Sequence, residues 1–251
     1  MNVPSVININ YVKFYLKYGV YIMYRSRSFN TNHFVTPDSL SRAKSLPNMR
    51  FKSINIRHSI VVKVVEPLEA LNSAQKITIE TMNDEWDSFI SDKRKCGVQK
   101  FDQEQCRWGL RCNNARNIFQ HILDNASDCI NGQGTSSEST FFIVAYFDAI
   151  PIGILNLLVR RNNDELPEIV YLASHCGIRG CGPLLVEKAI NTLLQLGMPG
   201  DIRLLPLKDA VPAYINMGFT TLYGEMVLYP SECSDKWKFN AKEDCYKYIF
   251  I

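Results

Sequence analysis

Three apolar runs of strand length follow one another between Phe141 and Ala173, and the segments joining them are too short to hold a helix. Phe141 to Phe147 is continuous apolar sequence, and Asp148-Ala149-Ile150-Pro151 is turn chemistry. Ile152 to Val159 is a second run. Arg161 to Pro167 is polar and carries Asn162, Asn163 and Asp164, and Ile169 to Ala173 is a third run. Parallel neighbours need a crossover of about a dozen residues or more, so these strands form an antiparallel meander.

The third strand enters a glycine loop, Ser174-His175-Cys176-Gly177-Ile178-Arg179-Gly180-Cys181-Gly182-Pro183. A helix follows. Pro183 suits its first turn, where an N–H has no helical partner. Leu184, Leu185, Ala189, Leu193 and Leu196 supply an apolar face, and Glu187, Lys188, Asn191 and Gln195 a polar one. Gly197 and Pro199 stop it. A helix start presents unpaired N–H groups and the positive end of the dipole, and glycines let a phosphate come close. Arg179 adds a cation. The plainer reading is a tight turn whose glycines serve packing. The order Gly177-x-x-Gly180-x-Gly182 after a meander is not the dinucleotide fingerprint of a βαβ unit, and no Gly-Lys-Ser/Thr follows.

Upstream, Ile60 to Val65 reads as a strand ended by Pro67. Glu69 to Ile90 mixes helical and strand signals. From Asp102, a candidate cap, Trp108, Cys112, Ala115, Ile118, Phe119 and Ile122 recur at helical spacing up to Leu123 and read as a core face. Asn131 to Ser139 is a Gly/Ser-rich loop. Downstream, Ile202 to Leu207, Leu222 to Tyr229 and Tyr246 to Ile251 read as strands, the last two as a closing antiparallel hairpin, with Trp237 and Phe239 packing between them.

The first sixty residues hold nine Lys/Arg and a single acid, Asp38, whereas the whole chain is only +3. Residues 1–58 therefore read as a basic, Ser/Asn-rich extension, and 59–251 as the folded domain. The extension is open between a solvated tail, a targeting segment and a leader like those of bacterial effectors. Tyr11 to Met23 could lie at an interface, although Gly19 weakens a helix there. The net charge is too small to call for nucleic acid or a membrane surface, and no apolar run approaches a membrane span. A soluble, cytoplasmic protein is expected. The eight cysteines contain no C-x-x-C pair, so they read as free thiols and no metal is expected. Cys176 beside His175 is a candidate nucleophile only if the fold turns the two together.

Meander, R-G-x-G loop, helix, strand, then Ala210-x-x-x-Tyr214-x-x-x-Gly218-Phe219 resembles the GNAT superfamily of acyl-CoA-dependent N-acetyltransferases over roughly residues 140–230. The resemblance implies an α+β fold: a mixed, mostly antiparallel, splayed sheet flanked by helices. It implies acetyl-CoA as co-substrate, with its pyrophosphate on the loop at Gly177, Ile178, Arg179, Gly180, Cys181 and Gly182. The backbone of Leu172, Ala173 and Ser174 would hold the acetyl carbonyl and pantetheine arm. Tyr214 would protonate the departing CoA thiolate. Its plainer reading is a helix tyrosine packed on Phe219. Asp209 is expected to cap that helix. Gly177 stands where the family has Gln or Arg, and Leu207 where it usually has Asn. The family's frequent carboxylate base falls on Val170, so His175 at the strand's end is the candidate base, with a water relay equally compatible. The acceptor is an amine, on a protein or a small molecule. The rival reading is a domain of this fold that no longer catalyses and binds an acyl-CoA or a protein.

Overall fold

The computed structural model describes residues 59–81, 103–133, 138–160, 165–175, 178 and 180–250. All lie in one compact unit, Ser59–Ile251. The extension 1–58 and three loop residues, Cys176, Gly177 and Arg179, lie outside the described residues, as do Asp102 and the side chain of Trp108.

Strands β2 (Glu138–Phe147), β3 (Ile150–Arg160) and β4 (Glu168–Ser174) form the expected antiparallel meander, and β1 (Ile60–Val65) pairs antiparallel with β2. β2 and β3 are apolar on both faces because helices cover both, which is why their sequence runs unbroken instead of alternating. The turn between them is tighter than the sequence suggests. Only Asp148 and Ala149 turn, both at positive φ, as a two-residue primed hairpin requires. Pro151 is inside β3, beside a register shift that tolerates its missing donor.

The sheet continues through β5 (Ile202–Leu204), parallel to β4, then β7 (Glu225–Leu228) and β6 (Thr220–Leu222), in the order β1-β2-β3-β4-β5-β7-β6. The fold is therefore α+β, with a mixed, mostly antiparallel sheet between helical layers. On one face pack α1 (Pro67–Gln75), which runs on into a π-helical turn to Thr81, and α2 (Gln103–Ile130). Cys112, Ala115, Phe119, Ile122 and Ala126 bury the α2 stripe against Phe142, Val144 and Ile154. On the other face packs α3 (Cys181–Gln195), through Leu185, Val186, Ala189, Ile190 and Leu193.

Downstream of α3 the sequence reading needs correcting. Leu222 to Tyr229 is not one strand. Tyr223 and Gly224, at φ 49° and 91°, fold it into the β6–β7 hairpin. The chain's last strand, β9 (Cys245–Tyr248), pairs not with β7 but with β8 (Trp237–Asn240), in a separate two-stranded sheet. Trp237 does pack, fully buried, and its indole N–H donates to the Met217 carbonyl at 2.7 Å, while Phe239 is more exposed but lies against the Tyr246 ring, centres 5.1 Å apart.

The polar side of α3 is what holds this ribbon. Asn191 Nδ2 donates to the Tyr246 carbonyl at 2.9 Å, and the Tyr246 N–H donates to Asn191 Oδ1 at 2.8 Å. The Tyr248 N–H donates to Glu187 Oε2 at 2.8 Å. Asn191→Ala should therefore strand two half-buried backbone groups of β9 and cost about 1–3 kcal/mol, read as a lower urea midpoint. A midpoint equal to wild type would mean that the Asn191 bonds add nothing to the hold that the apolar side chains, Glu187 and the Tyr248 hydroxyl already give β9.

Candidate active site: a split between parallel strands

β4 and β5 are parallel neighbours that part company. Their pairing runs only through Glu168↔Arg203 and Ile169↔Leu204. β4 continues through Val170–Ser174 on its β3 side, while β5 ends at Leu204. A bulge lies at the parting. Asn156 faces Tyr171 and Leu157 faces Ile169, which leaves Val170 as an extra residue. A bulge bends its strand and strengthens the local twist. So one edge of β4, from Val170 to Ser174, has no strand partner among the described residues.

The closed end of the split is tied by charge. Arg203 donates through Nη2 to Glu165 at 3.0 Å and to Glu168 at 3.1 Å, and its Nη1 reaches Glu225 at 3.5 Å. Arg160 donates to the same Glu165 and Glu168, and to Glu138. These groups are partly exposed, so each pair contributes little alone, but two guanidiniums shared among carboxylates from β2, β4, β7 and the β3–β4 connection form a network.

At the open end, the carboxyl ends of β4 and β5 lie together because the strands are parallel. The chain leaving β4 enters the glycine loop and α3. His175 extends the ladder, its N–H donating to the Ile152 carbonyl at 2.8 Å, and its own carbonyl accepts from the Ile178 N–H at 2.9 Å in a tight turn. Ile178 packs on the core. Gly180 is the N-cap of α3 at φ 82°, a left-handed conformation that glycine adopts without steric cost. A Cβ built on Gly180 would meet nothing within 4 Å, and one on Gly182 only a Leu172 methyl at 4.0 Å. The start of α3 is thus open above Leu172 and carries no side-chain cap. Its unpaired N–H groups and dipole suit an anion.

What seats this helix end is a residue the sequence reading passed over. A Cβ on Gly153 of β3 would lie 2.8 Å from Cys181 Sγ and 3.2 Å from the Ala173 carbonyl, so α3 descends onto the sheet where β3 has no side chain. The signal was a glycine inside an apolar strand, which marks a close approach. Cys181 is fully buried there, and burial pushes its thiol up to about 12. Its side chain therefore does not reach the surface of the loop. Ala173 is likewise buried, on the α2 face, while Leu172 and Ser174 are half-buried.

The chain leaving β5 enters a 3-10 turn (Lys208–Ala210) and α4 (Val211–Asn216). Asp209 does not cap α4. It lies within the 3-10 turn, Ala210 holds the cap position, and no side chain caps either element. The Gly218-Phe219 pair ends α4 as a Schellman motif: Gly218 N–H donates to Ile215, Phe219 N–H to Tyr214, with Gly218 at φ 96°. This returns Phe219 onto Tyr214, edge to face with ring centres 5.4 Å apart. Tyr214 is 9% exposed in the α3-side core, and desolvation raises its hydroxyl to about 12. His175 is 1% exposed. Tyr214 and His175 thus sit on the segments leaving β5 and β4 at the same end of the split. Leu205 and Leu207, just past β5, are exposed.

Among the described residues, no group of three or more His, Cys, Asp or Glu could hold a metal ion, and no helix is long and apolar enough to cross a membrane. The described cysteines are free.

No protein-family model matches the chain, and no curated protein matches it. Solved structures similar to it include a PaiA N-acetyltransferase from Thermoplasma acidophilum in complex with coenzyme A (14% identity, TM-score 0.38, 67% of this chain and 96% of that one). A GCN5-related N-acetyltransferase from Ralstonia eutropha is similar over 65% of this chain and 94% of its own, at 15% identity and TM-score 0.37. An acyl-CoA N-acyltransferase from Pseudomonas aeruginosa is similar over 67% and 97%, at 15% identity and TM-score 0.37.

The two buried protons give a pH expectation. The folded chain holds them to about pH 12, whereas the unfolded chain releases the Cys181 thiol near 9 and the Tyr214 hydroxyl near 10. Between those values the unfolded state binds fewer protons, so stability falls as pH rises. Urea midpoints should fall from pH 9 towards 12, less steeply in Cys181→Ala, and alkylation of Cys181 should await unfolding. Rapid labelling of native Cys181 at pH 8 would contradict its burial.

Proposed function

We propose that the domain is an N-acetyltransferase that moves an acetyl group from acetyl-CoA to an amine by direct attack. The observation that carries this is the Val170–Ser174 edge of β4, without a strand partner among the described residues, beside the open N-terminus of α3. A pantetheine arm carries amides that can pair with a strand edge, and the pyrophosphate of the same molecule needs an anion site a short distance along it. Acetyl-CoA is the substrate that joins the two demands. Leu172, Ala173 and Ser174 hold the arm and the thioester carbonyl through their backbone. Gly180, Cys181 and Gly182 offer amides to the pyrophosphate, with Ile178 packing the loop and with Gly177 and Arg179 completing it.

In the reaction the amine nitrogen bonds to the thioester carbon and the carbon–sulfur bond breaks. The thiolate then takes a proton. Tyr214 is assigned that step because it carries a hydroxyl on the segment leaving β5, at the same end of the split; burial raises that hydroxyl to about 12, which keeps it protonated but makes it a weaker acid. The acceptor class, protein or small amine, is left open by these residues. A binding-only domain is favoured by two observations, Val170 in place of a carboxylate and the burial of His175. Turnover of acetyl-CoA with an amine separates the two readings.

Acetyl-CoA should bind by calorimetry and raise the melting temperature with concentration. Gly182→Val should fold like wild type, since its Cβ meets only a methyl at ordinary contact distance, yet weaken CoA about tenfold or more, roughly 1.4 kcal/mol. Normal CoA affinity in a folded Gly182→Val protein would remove the pyrophosphate from this loop.

Tyr214→Phe keeps the ring and its edge contact with Phe219, so stability and CoA affinity should hold. As a leaving-group acid its loss should lower kcat by about 10²-fold. An unchanged kcat where chemistry limits turnover would leave Tyr214 a packing residue.

A further inference from the structure

We propose that His121, on α2, is the base that takes the proton from the acceptor amine. The assignment rests on the acetyltransferase reading above and deepens it by filling the role that Val170 cannot. The His121 imidazole is exposed and lies parallel to the Tyr171 ring, with centres 5.4 Å apart and planes 11° from one another. Tyr171 is the residue after the bulge on the free stretch of β4, so the stack places a titratable ring beside the strand edge that would carry the thioester.

A second observation falls at the same point. Asn156, cross-strand partner of Tyr171, is 1% exposed in an otherwise apolar layer. Its Nδ2 donates to Oδ1 of Asn125, one helical turn after His121, at 2.9 Å, and its own Oδ1 is buried with no hydrogen-bond partner among the described residues. Leaving a buried acceptor unmet is costly, and such an atom calls for an explanation, a role in the chemistry or an ordered water among them. An amine acceptor would bring a donor to it. Tyr171 from the sheet stacks on the ring, and Asp124, one turn along the same helix, has its Oδ1 occupied by Gln120 Nε2 at 3.0 Å.

The step balances simply. The amine N–H proton passes to the His121 imidazole as nitrogen bonds to the carbonyl carbon. The carbon–sulfur bond breaks and the thiolate takes a proton from Tyr214. Solvent then removes the proton from the imidazole and restores the one on Tyr214.

The test uses the full chain with acetyl-CoA and, as acceptor probes, spermidine and Nα-blocked lysine. It compares wild type, His121→Phe and His121→Ala. Phenylalanine keeps an aromatic plane on Tyr171 but cannot take a proton. The expected result is normal CoA affinity and melting temperature in His121→Phe, with kcat/KM for the amine lower by about 10²–10⁴-fold at neutral pH. That loss should shrink as pH rises and free amine accumulates, so the acidic limb of the wild-type profile should change. A His121→Phe enzyme with the wild-type rate and profile would overturn the proposal, because stacking alone would then explain the contact. So would a loss of activity in His121→Ala that phenylalanine restores. Absence of CoA binding in wild type would instead sink the acetyltransferase reading, and this assignment with it.

Discussion

Beyond Ile169, among the described residues, β4 is hydrogen-bonded to a neighbouring strand on its β3 side alone, and the rest of the site follows from that constraint. Backbone N–H and C=O groups taken from water without partners are costly, so a strand inside a sheet is normally paired on both sides. Here three features keep the second side open. β5 is too short to follow, the bulge at Val170 bends β4, and the ion pairs of Arg160 and Arg203 hold the strands together only at the far end. An extended ligand with amides of its own answers this edge as a strand would.

The helix end beside the split depends on a second, smaller constraint. α3 reaches the sheet over Gly153, where Cys181 Sγ occupies the volume a side chain would take. A methyl at Gly153 must displace that sulfur or the helix, and the anion-suited amides of the first turn would move with it. The far side of α3 answers a different need. Glu187 and Asn191 meet the backbone of β9, so the ribbon following the main sheet is latched to the helix that carries the proposed pyrophosphate site.

Local signals made the meander and the stop of α3 legible in the sequence. Gly197 ends α3 at positive φ, as glycine after an apolar helical stripe implies. The errors arose where one residue type serves two structures. Tyr223 reads as a strand residue, yet it turns with Gly224, and only the glycine hinted at a hairpin. β9 is apolar enough to extend the main sheet, but the register of a ribbon held by Asn191 is set by tertiary hydrogen bonds that no local pattern records. Asp209 has cap chemistry but stands too early, because a 3-10 turn precedes the helix. His121 was passed over for the same reason. On an exposed helix position it reads as surface, and its meeting with Tyr171 exists only once α2 lies across β4.

The split also relates the two faces of the sheet. Tyr214 belongs to the apolar cluster on the α3 side, while Tyr171, under His121, packs with the cluster on the α2 side. A continuous sheet would separate these residues by a layer of paired backbone. Among the described residues that layer is missing between β4 and β5 past Ile169, so a thioester seated on the β4 edge would be approachable from both faces. In the proposed reaction the acid and the base then have separate entrances. The thiolate departs towards the helix that holds its pyrophosphate, and the amine arrives from the side of α2. An acceptor in its own compartment need not displace the donor to reach it, which suits direct attack in a complex of both substrates. A single pocket on the α3 face would instead make amine and CoA compete for the same volume.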